Sequence, residues 1–231
     1  MKEKIVRIAF ALLIMAIVLF QFTILSRATE TLSSELIAWG LKRSDNHNPP
    51  KLDSASLEIL NEYHGIAIGN SEEKKLYLTF DLGYEAGYTA QILDVLKEND
   101  VKAVFFITGH YLNTQPDLVK RMIEEGHTIG NHTVNHKSLP SLSDSEIEKE
   151  IMDLHKALYD KFDYEMTYFR PPKGEFSEKV LNITTNLGYT TVLWSFAYDD
   201  WDENKQGRED YGKKKILENL HNRKYSFTSC H

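Results

Sequence analysis

Short apolar and aromatic runs of strand length alternate along the chain with segments whose apolar residues recur at helical spacing. The runs predict strands at 75–78, 102–108, 127–130, 166–169 and 189–195. The intervening segments predict helices at 89–99, 116–125, 143–158 and 176–186. The third helix begins at a capping box, Ser143 to Glu146, and we interpret it as structural. Regular alternation of strands and helices is typical of an α/β fold.

The N-terminus carries a different pattern, in which basic residues precede an apolar segment. Lys2, Lys4 and Arg7 come before an apolar stretch that runs from Ile8 to Leu25. This length lies between that of a signal-peptide core and that of a membrane-spanning helix, and no small-residue cleavage site follows. We therefore expect a signal peptide or an uncleaved membrane anchor at residues 1–25. Either one places the rest of the chain outside the cytoplasm, because positive charge precedes the apolar segment.

Residues 26–73 are polar and irregular, and the Asn- and Pro-rich segment at 46–50 is unfavourable for helices and strands. We therefore expect a linker before a single domain that begins near Lys74.

The composition of the chain limits the classes of binding partner. The formal net charge of −7 gives no electrostatic support for nucleic-acid binding, and a neutral or cationic polymer fits better. Cys230 is the only cysteine in the sequence, which excludes a disulfide framework and a thiolate zinc cluster.

His132 and His136 are the strongest indication of chemistry, because two imidazoles at positions i and i+4 can bind one divalent metal ion. Other polar residues also follow predicted strands: Asp81 follows the first, Arg170 the fourth and 199–201 the last. Parallel strands would bring these groups together at one edge of the sheet, as in an active site. Each residue also has a structural alternative. The two histidines could be buried and hydrogen-bonded, Asp81 could end a strand or cap a helix, and Arg170 could form a surface ion pair.

Four stretches in this order resemble the polysaccharide deacetylase family, also called the NodB homology domain: TFDLGYEAGYT, GNHTVNH, FRPPKGEF and WSFAYDDW. The first and last are most similar to the branch of delta-lactam-biosynthetic de-N-acetylases, which act on muramic acid in spore peptidoglycan. The resemblance leads us to place a deacetylase domain at residues 74–222 and a non-family tail at 223–231. It implies a distorted, incomplete (β/α) barrel.

The resemblance implies that His132 and His136 bind a divalent metal ion. Zinc is the metal we expect, because it favours imidazole ligands, with cobalt, nickel and manganese as alternatives. Most of the family has a third metal ligand, an aspartate, directly after the general base. This chain has Leu82 there, which cannot bind a metal, so we expect water or substrate in the open coordination positions.

The resemblance also assigns the catalytic and substrate-binding residues. Asp81 would act as the general base, Arg170 would orient it, and Asp200 would pair with that arginine. Gly174 and Trp201 are expected to contact the substrate, since an aromatic face can cover the apolar face of a sugar ring. Packing in the core is the alternative for Trp201.

The C-terminal residues depart from the family pattern, in which an apolar strand ends in a Leu-x-His motif whose histidine is the general acid. After Asn222 the chain continues to Cys230 and His231 without an apolar run. We therefore expect the last strand of the barrel to be missing, and we do not expect His231 to replace the general acid. The predicted consequences are slow departure of the amine and an unpaired sheet edge.

These observations predict a metal-dependent hydrolase that removes N-acetyl groups from amino sugars of peptidoglycan, with N-acetylmuramic acid of the spore cortex as the favoured substrate. Another polysaccharide, such as chitin oligomers or xylan, is the alternative substrate. An inactive, membrane-tethered glycan-binding protein is the alternative from a different functional class. We expect a monomer that acts in the cell envelope or spore, reaches the membrane through its N-terminal segment and binds no nucleic acid.

Overall fold

The computed structural model describes Met15 and residues 32–44, 48–69, 75–198, 209–219 and 227–230. The chain divides into two compact units, Met1–Ser33 and Ser34–His231. Apart from Met15, the leader expected at residues 1–25 lies outside the described residues. Within the described parts of the chain, no helix is both long enough and apolar enough to span a membrane.

The second unit is built from short strands and longer helices that alternate along the chain. Its strands are β1 (Ile37–Ala38), β2 (Leu41–Lys42), β3 (Lys51–Leu52), β4 (Tyr77–Leu82), β5 (Val104–Ile107), β6 (Thr128–Asn131), β7 (Tyr168–Phe169), β8 (Glu175–Phe176), β9 (Thr190–Thr191), β10 (Phe196–Ala197) and β11 (Phe227–Cys230). Its helices are α1 (Ser54–Glu62), α2 (Thr89–Glu98), α3 (Gly109–Thr114), α4 (Pro116–Glu124), α5 (Asp144–Phe162), α6 (Glu178–Asn186) and α7 (Glu209–Asn219), with 3₁₀ turns at Leu139–Ser141 and Pro172–Gly174.

A parallel sheet organises this unit, in the order β10-β11-β4-β5-β6-β7-β9. Helices α2, α4 and α5 contribute Leu93, Val119 and Ile151 to a buried hydrophobic cluster that also contains Phe105 of β5. The parallel sheet with its helices confirms the expected α/β fold of the distorted barrel type. Within the described residues the sheet order begins at β10 and ends at β9, so the barrel is incomplete.

The expectation that the last strand is missing is wrong. Strand β11 lies between β10 and β4 and pairs in parallel with both, so that Thr228 is in register with Phe196 on one side and with Leu78 on the other. Its sequence, Phe-Thr-Ser-Cys, is not an apolar run, but aromatic and β-branched residues favour extended backbone. Because strands lie on both sides, even this short segment finds partners for its backbone hydrogen-bonding groups.

Helix α5 follows its prediction closely. Ser143 and Glu146 form the predicted capping box, and the apolar face around Ile151 is buried. The helix continues to Phe162, beyond the predicted end at Leu158. The sequence pattern does not predict α3, because its six residues are too few to show helical periodicity.

Several described residues of the segment expected to be a linker pack into the domain. Trp39, Leu60 and Ala67 are buried in a hydrophobic cluster with residues of β8, α6 and the segment after β9. Strand β1 also pairs with β8 in an antiparallel arrangement. These contacts are far apart in the sequence, so no periodic pattern marks them. Trp39, Leu60 and Ala67 therefore belong to the domain and not to a linker.

Candidate active site

Strand β4 carries two polar side chains on one face. Thr79 and Asp81 are two residues apart, so their side chains point to the same side of the strand. Both are buried and both accept hydrogen bonds from Nη1 of Arg170, at 2.9 Å to Thr79 Oγ1 and 2.6 Å to Asp81 Oδ1. The sequence pattern places Asp81 beyond the strand, but the structure places it within β4. The strand extends further because Leu82 pairs with Ile107 of β5.

Arg170 follows β7, and its side chain is completely buried. Its Nε donates a hydrogen bond to the backbone carbonyl of Val192 at 3.1 Å. The guanidinium carbon lies 4.1 Å from the ring centroid of Phe106 and 5.7 Å from that of Trp194. A buried charge is costly unless an opposite charge and hydrogen bonds compensate, and Asp81 supplies that charge. A surface ion pair therefore does not describe Arg170.

His132 follows β6, and its ring is buried beside Arg170. Its Nδ1 lies 2.7 Å from the backbone carbonyl oxygen of Arg170. A carbonyl oxygen only accepts hydrogen bonds, so Nδ1 carries the proton and Nε2 keeps its lone pair. Burial lowers the pKa of His132 to about 4, although the negative charge of Asp81 opposes this shift. The ring is therefore neutral at neutral pH, which is the form that binds a metal.

The second histidine of the motif lies against the first. The ring centroids of His132 and His136 are 4.8 Å apart. His136 is exposed, its backbone is in the left-handed region with φ 54°, and its N–H donates to Thr133 Oγ1 at 3.0 Å. The spacing of the two histidines thus brings their rings together on one turn of the chain, as predicted.

The donors at this site fit a divalent cation that favours imidazole. His132 offers a neutral ring nitrogen, His136 lies beside it, and the charge of Asp81 acts on the His132 ring. In the part of the chain that the structure describes, no group of three or more His, Cys, Asp or Glu side chains is arranged to hold a metal ion. Leu82 is buried in the hydrophobic core and offers no ligand. Two imidazoles leave further coordination positions for water or substrate.

Comparison with known proteins identifies the family. A sequence profile of the polysaccharide deacetylase family matches residues 68–192, more than half of the chain. This chain belongs to the polysaccharide deacetylase family. Its relatives include the peptidoglycan-N-acetylmuramic acid deacetylase PdaA of Bacillus subtilis strain 168, which is 42% identical over 193 residues, or 83% of this chain and 73% of that protein.

Two further comparisons agree with this assignment to the deacetylase family. A peptidoglycan-N-acetylglucosamine deacetylase of Bacillus cereus is 41% identical over 133 residues, which cover 57% of this chain and 62% of that protein. The solved structure of Bacillus subtilis PdaA, a family 4 carbohydrate esterase, matches with a TM-score of 0.83 and 41% identity, covering 87% of this chain and 85% of that one. The expectation of an enzyme of this family is confirmed.

Of the remaining residues expected at the site, the structure describes one, Gly174. Gly174 is buried with φ +67°, and an added Cβ would lie 2.7 Å from the Trp194 ring and 3.1 Å from Trp39 Cβ. The absence of a side chain at Gly174 therefore lets two tryptophans approach, while its contact with substrate stays a prediction. Asp200 and Trp201 lie outside the described residues.

Three residues that contact Arg170 are absent from the sequence prediction. Thr79 could have been predicted from the sequence, because a residue two positions before Asp81 lies on the same face of the strand. Phe106 and Trp194 come from β5 and from the segment after β9. Their contacts depend on how the sheet brings distant segments together, and nothing local in the sequence marks them.

Proposed function

We propose that this chain is a metal-dependent de-N-acetylase that removes acetyl groups from N-acetylmuramic acid in peptidoglycan. One observation carries the proposal: the buried pair of Asp81 and Arg170 lies directly beside the neutral ring of His132. A carboxylate held by an arginine and a neutral imidazole with an available Nε2 are the groups that amide hydrolysis needs. The similarity to Bacillus subtilis PdaA supports muramic acid as the sugar.

In this proposal His132 and His136 hold the metal ion, with zinc favoured and cobalt, nickel or manganese as alternatives. When bound, the ion supplies Lewis acidity that polarises the acetyl carbonyl and acidifies a water molecule. Asp81 accepts a proton from the attacking water as the water oxygen bonds to the acetyl carbon. The C–N bond then breaks as the amine nitrogen takes up the proton that Asp81 had accepted, and the products are acetate and a free amino sugar.

Arg170 orients the base. Its guanidinium stabilises the carboxylate form of Asp81 and fixes one carboxylate oxygen at 2.6 Å. The Phe106 ring packs against the guanidinium and limits its movement. The Asp81 carboxylate therefore meets the water in a defined direction, which favours proton transfer. We also propose that Asp200 pairs with Arg170 and that Trp201 and Gly174 contact the sugar.

Peptidoglycan lies outside the cytoplasmic membrane, so this function requires export. The basic and apolar pattern of residues 1–25 supports that requirement. We propose that this segment exports the chain or tethers it to the membrane, and that the protein acts as a monomer in the cell envelope or spore.

The test is to incubate the purified full chain with zinc and peptidoglycan and to measure released acetate. Mass spectrometry of the digested glycan strands then locates the missing acetyl groups. We expect them to be lost from muramic acid. Loss from glucosamine alone would make the sugar assignment wrong, an outcome suggested by the Bacillus cereus relative. Glycan binding without acetate release would favour the inactive glycan-binding alternative.

A further inference from the structure

The turn that joins the two histidines has an unusual backbone. Thr133 and His136 both adopt left-handed conformations, with φ 68° and φ 54°. Residues that carry a side chain rarely adopt this region, and they keep it only where the surrounding structure holds them there. The distance between the two imidazoles depends on the conformation of this turn. Contacts that stabilise the turn therefore also control the proposed metal site.

A side chain from outside the turn helps to stabilise this conformation. Glu150 lies in the middle of α5 and is only 5% exposed. Its Oε2 accepts a hydrogen bond from the Asn135 backbone N–H at 2.9 Å, and its Oε1 accepts one from Asn135 Nδ2 at 2.8 Å. Lys137 Nζ lies 3.0 Å from the same Oε1, and the Glu150 backbone oxygen accepts from the N–H of Val134 at 3.0 Å.

One other bond reaches outside the turn, because the N–H of Gly109 donates to the Thr133 backbone oxygen at 3.1 Å. Two further bonds are local. The N–H of Thr133 donates to Asn131 Oδ1, and the N–H of His136 donates to Thr133 Oγ1. The main-chain N–H of Asn135 bonds to the Glu150 carboxylate, and that of Val134 bonds to the Glu150 backbone oxygen. Glu150 is therefore the contact that ties the centre of the turn to the rigid helix α5.

The two histidines differ in how much they depend on this contact. The His132 ring is held separately, through the carbonyl of Arg170. His136 is exposed, and its main-chain N–H donates to Thr133 Oγ1 within the turn. Loosening the turn would thus shift His136 relative to His132.

We propose that Glu150 is a positioning residue for the metal site, which holds His136 against His132 without touching the metal itself. This inference rests on the proposed metal-binding function. It assigns a role to the middle of α5, a helix whose sequence pattern indicates only packing. Contacts of this kind, one step removed from the ligands, commonly control metal affinity.

The experiment compares Glu150→Gln with Glu148→Gln in the full chain. Glu148 lies on the same helix and is exposed, so it is matched in chemistry and in element. Zinc is titrated into each metal-free protein by calorimetry, and circular dichroism checks that each is folded. We expect the Kd for zinc to rise by about tenfold or more in Glu150→Gln and to stay unchanged in Glu148→Gln. The absorption spectrum of bound cobalt should also change in Glu150→Gln only.

A second variant covers the case in which Glu150→Gln does not fold. Asn135→Asp keeps the shape of an exposed residue but places a carboxylate oxygen against Glu150 Oε1. Simple attraction between the added negative charge and zinc would tighten binding, whereas disruption of the turn weakens it. We expect weaker binding, and tighter binding would overturn the inference.

Two other results would also decide against the role of Glu150. An unchanged Kd in a folded Glu150→Gln protein would overturn this inference and leave the proposed function intact. If the unaltered chain bound no zinc or cobalt, the proposed metal site would be wrong and the role of Glu150 with it. The two failures are therefore distinguishable in one set of titrations.

Discussion

His132 donates its Nδ1 proton to the backbone carbonyl of Arg170 at 2.7 Å, while the side chain of the same arginine lies 2.6 Å from Asp81. One residue thus holds the proposed metal ligand through its main chain and the proposed base through its side chain. A substitution at position 170 changes the side chain and keeps the carbonyl. The two roles can therefore be separated by experiment.

We expect Arg170→Lys to lower turnover by about a hundredfold, because an ammonium cannot reproduce the planar contacts that orient Asp81. Zinc affinity should change little, since the backbone carbonyl still accepts from His132. Acetate release and zinc titration on one preparation measure both quantities. Arg121→Lys is the matched control, because Arg121 of α4 also pairs with carboxylates but lies elsewhere. Full turnover in Arg170→Lys would contradict the orienting role.

Asp81→Asn tests the base. The amide keeps the size of the carboxylate but is not basic, so we expect turnover to fall by about 10²–10⁴-fold. Bound zinc should remain, because the imidazoles are untouched. Asp117→Asn, an exposed aspartate at the start of α4, serves as the control. If Asp81→Asn released acetate at the normal rate, another group would have to be the base.

His136→Asn tests the metal ligand with a closely matched control. His136 and His64 are both exposed histidines in left-handed backbone, with φ 54° and φ 56°, and asparagine tolerates this conformation. We expect His136→Asn to lose zinc by elemental analysis, whereas His64→Asn retains it. His132→Ala should also lose zinc. Equal zinc content in all three variants would remove both histidines as ligands.

Gly130→Ala tests the packing of Phe106 against the Arg170 guanidinium. An added Cβ at Gly130 would lie 2.4 Å from a ring carbon of Phe106, and that ring packs against the guanidinium. Overpacking of this kind lowers the free energy of unfolding by about 1–3 kcal/mol, and we expect turnover to fall as the arginine shifts. Urea denaturation and acetate release measure the two effects. Gly40→Ala is the control, since nothing lies within 4 Å of its added Cβ, and equal stability of the two variants would contradict the packing argument.

The sequence pattern predicts the parts of this fold that depend on local chemistry. The capping box at Ser143 starts α5, and the histidine spacing brings two rings within 4.8 Å of each other. Both results depend on residues a few positions apart. Asp81 is also predicted as part of the site, although its strand is longer than its apolar run, because pairing with β5 extends it.

The parts that escape prediction depend on contacts between distant segments. Trp39 is buried against segments that follow it by more than a hundred residues. The sequence around Trp39 has no periodic pattern that predicts this burial. From the sequence alone, Glu150 is one of several charged residues on an amphipathic helix. Only the structure shows that its carboxylate accepts a hydrogen bond from Asn135. Strand β11 has too few apolar residues to be recognised, and its neighbours make it a strand.

The position of β11 has a consequence for how a nascent chain acquires its activity. This segment is synthesised after the other strands that the structure describes, yet it inserts between β10 and β4. Until it arrives, β4 exposes one row of backbone groups, and this is the strand that carries Asp81. Such a delayed, long-range closure is slow and leaves the intermediate prone to aggregation. The edge of β4 therefore needs protection until β11 has paired with it.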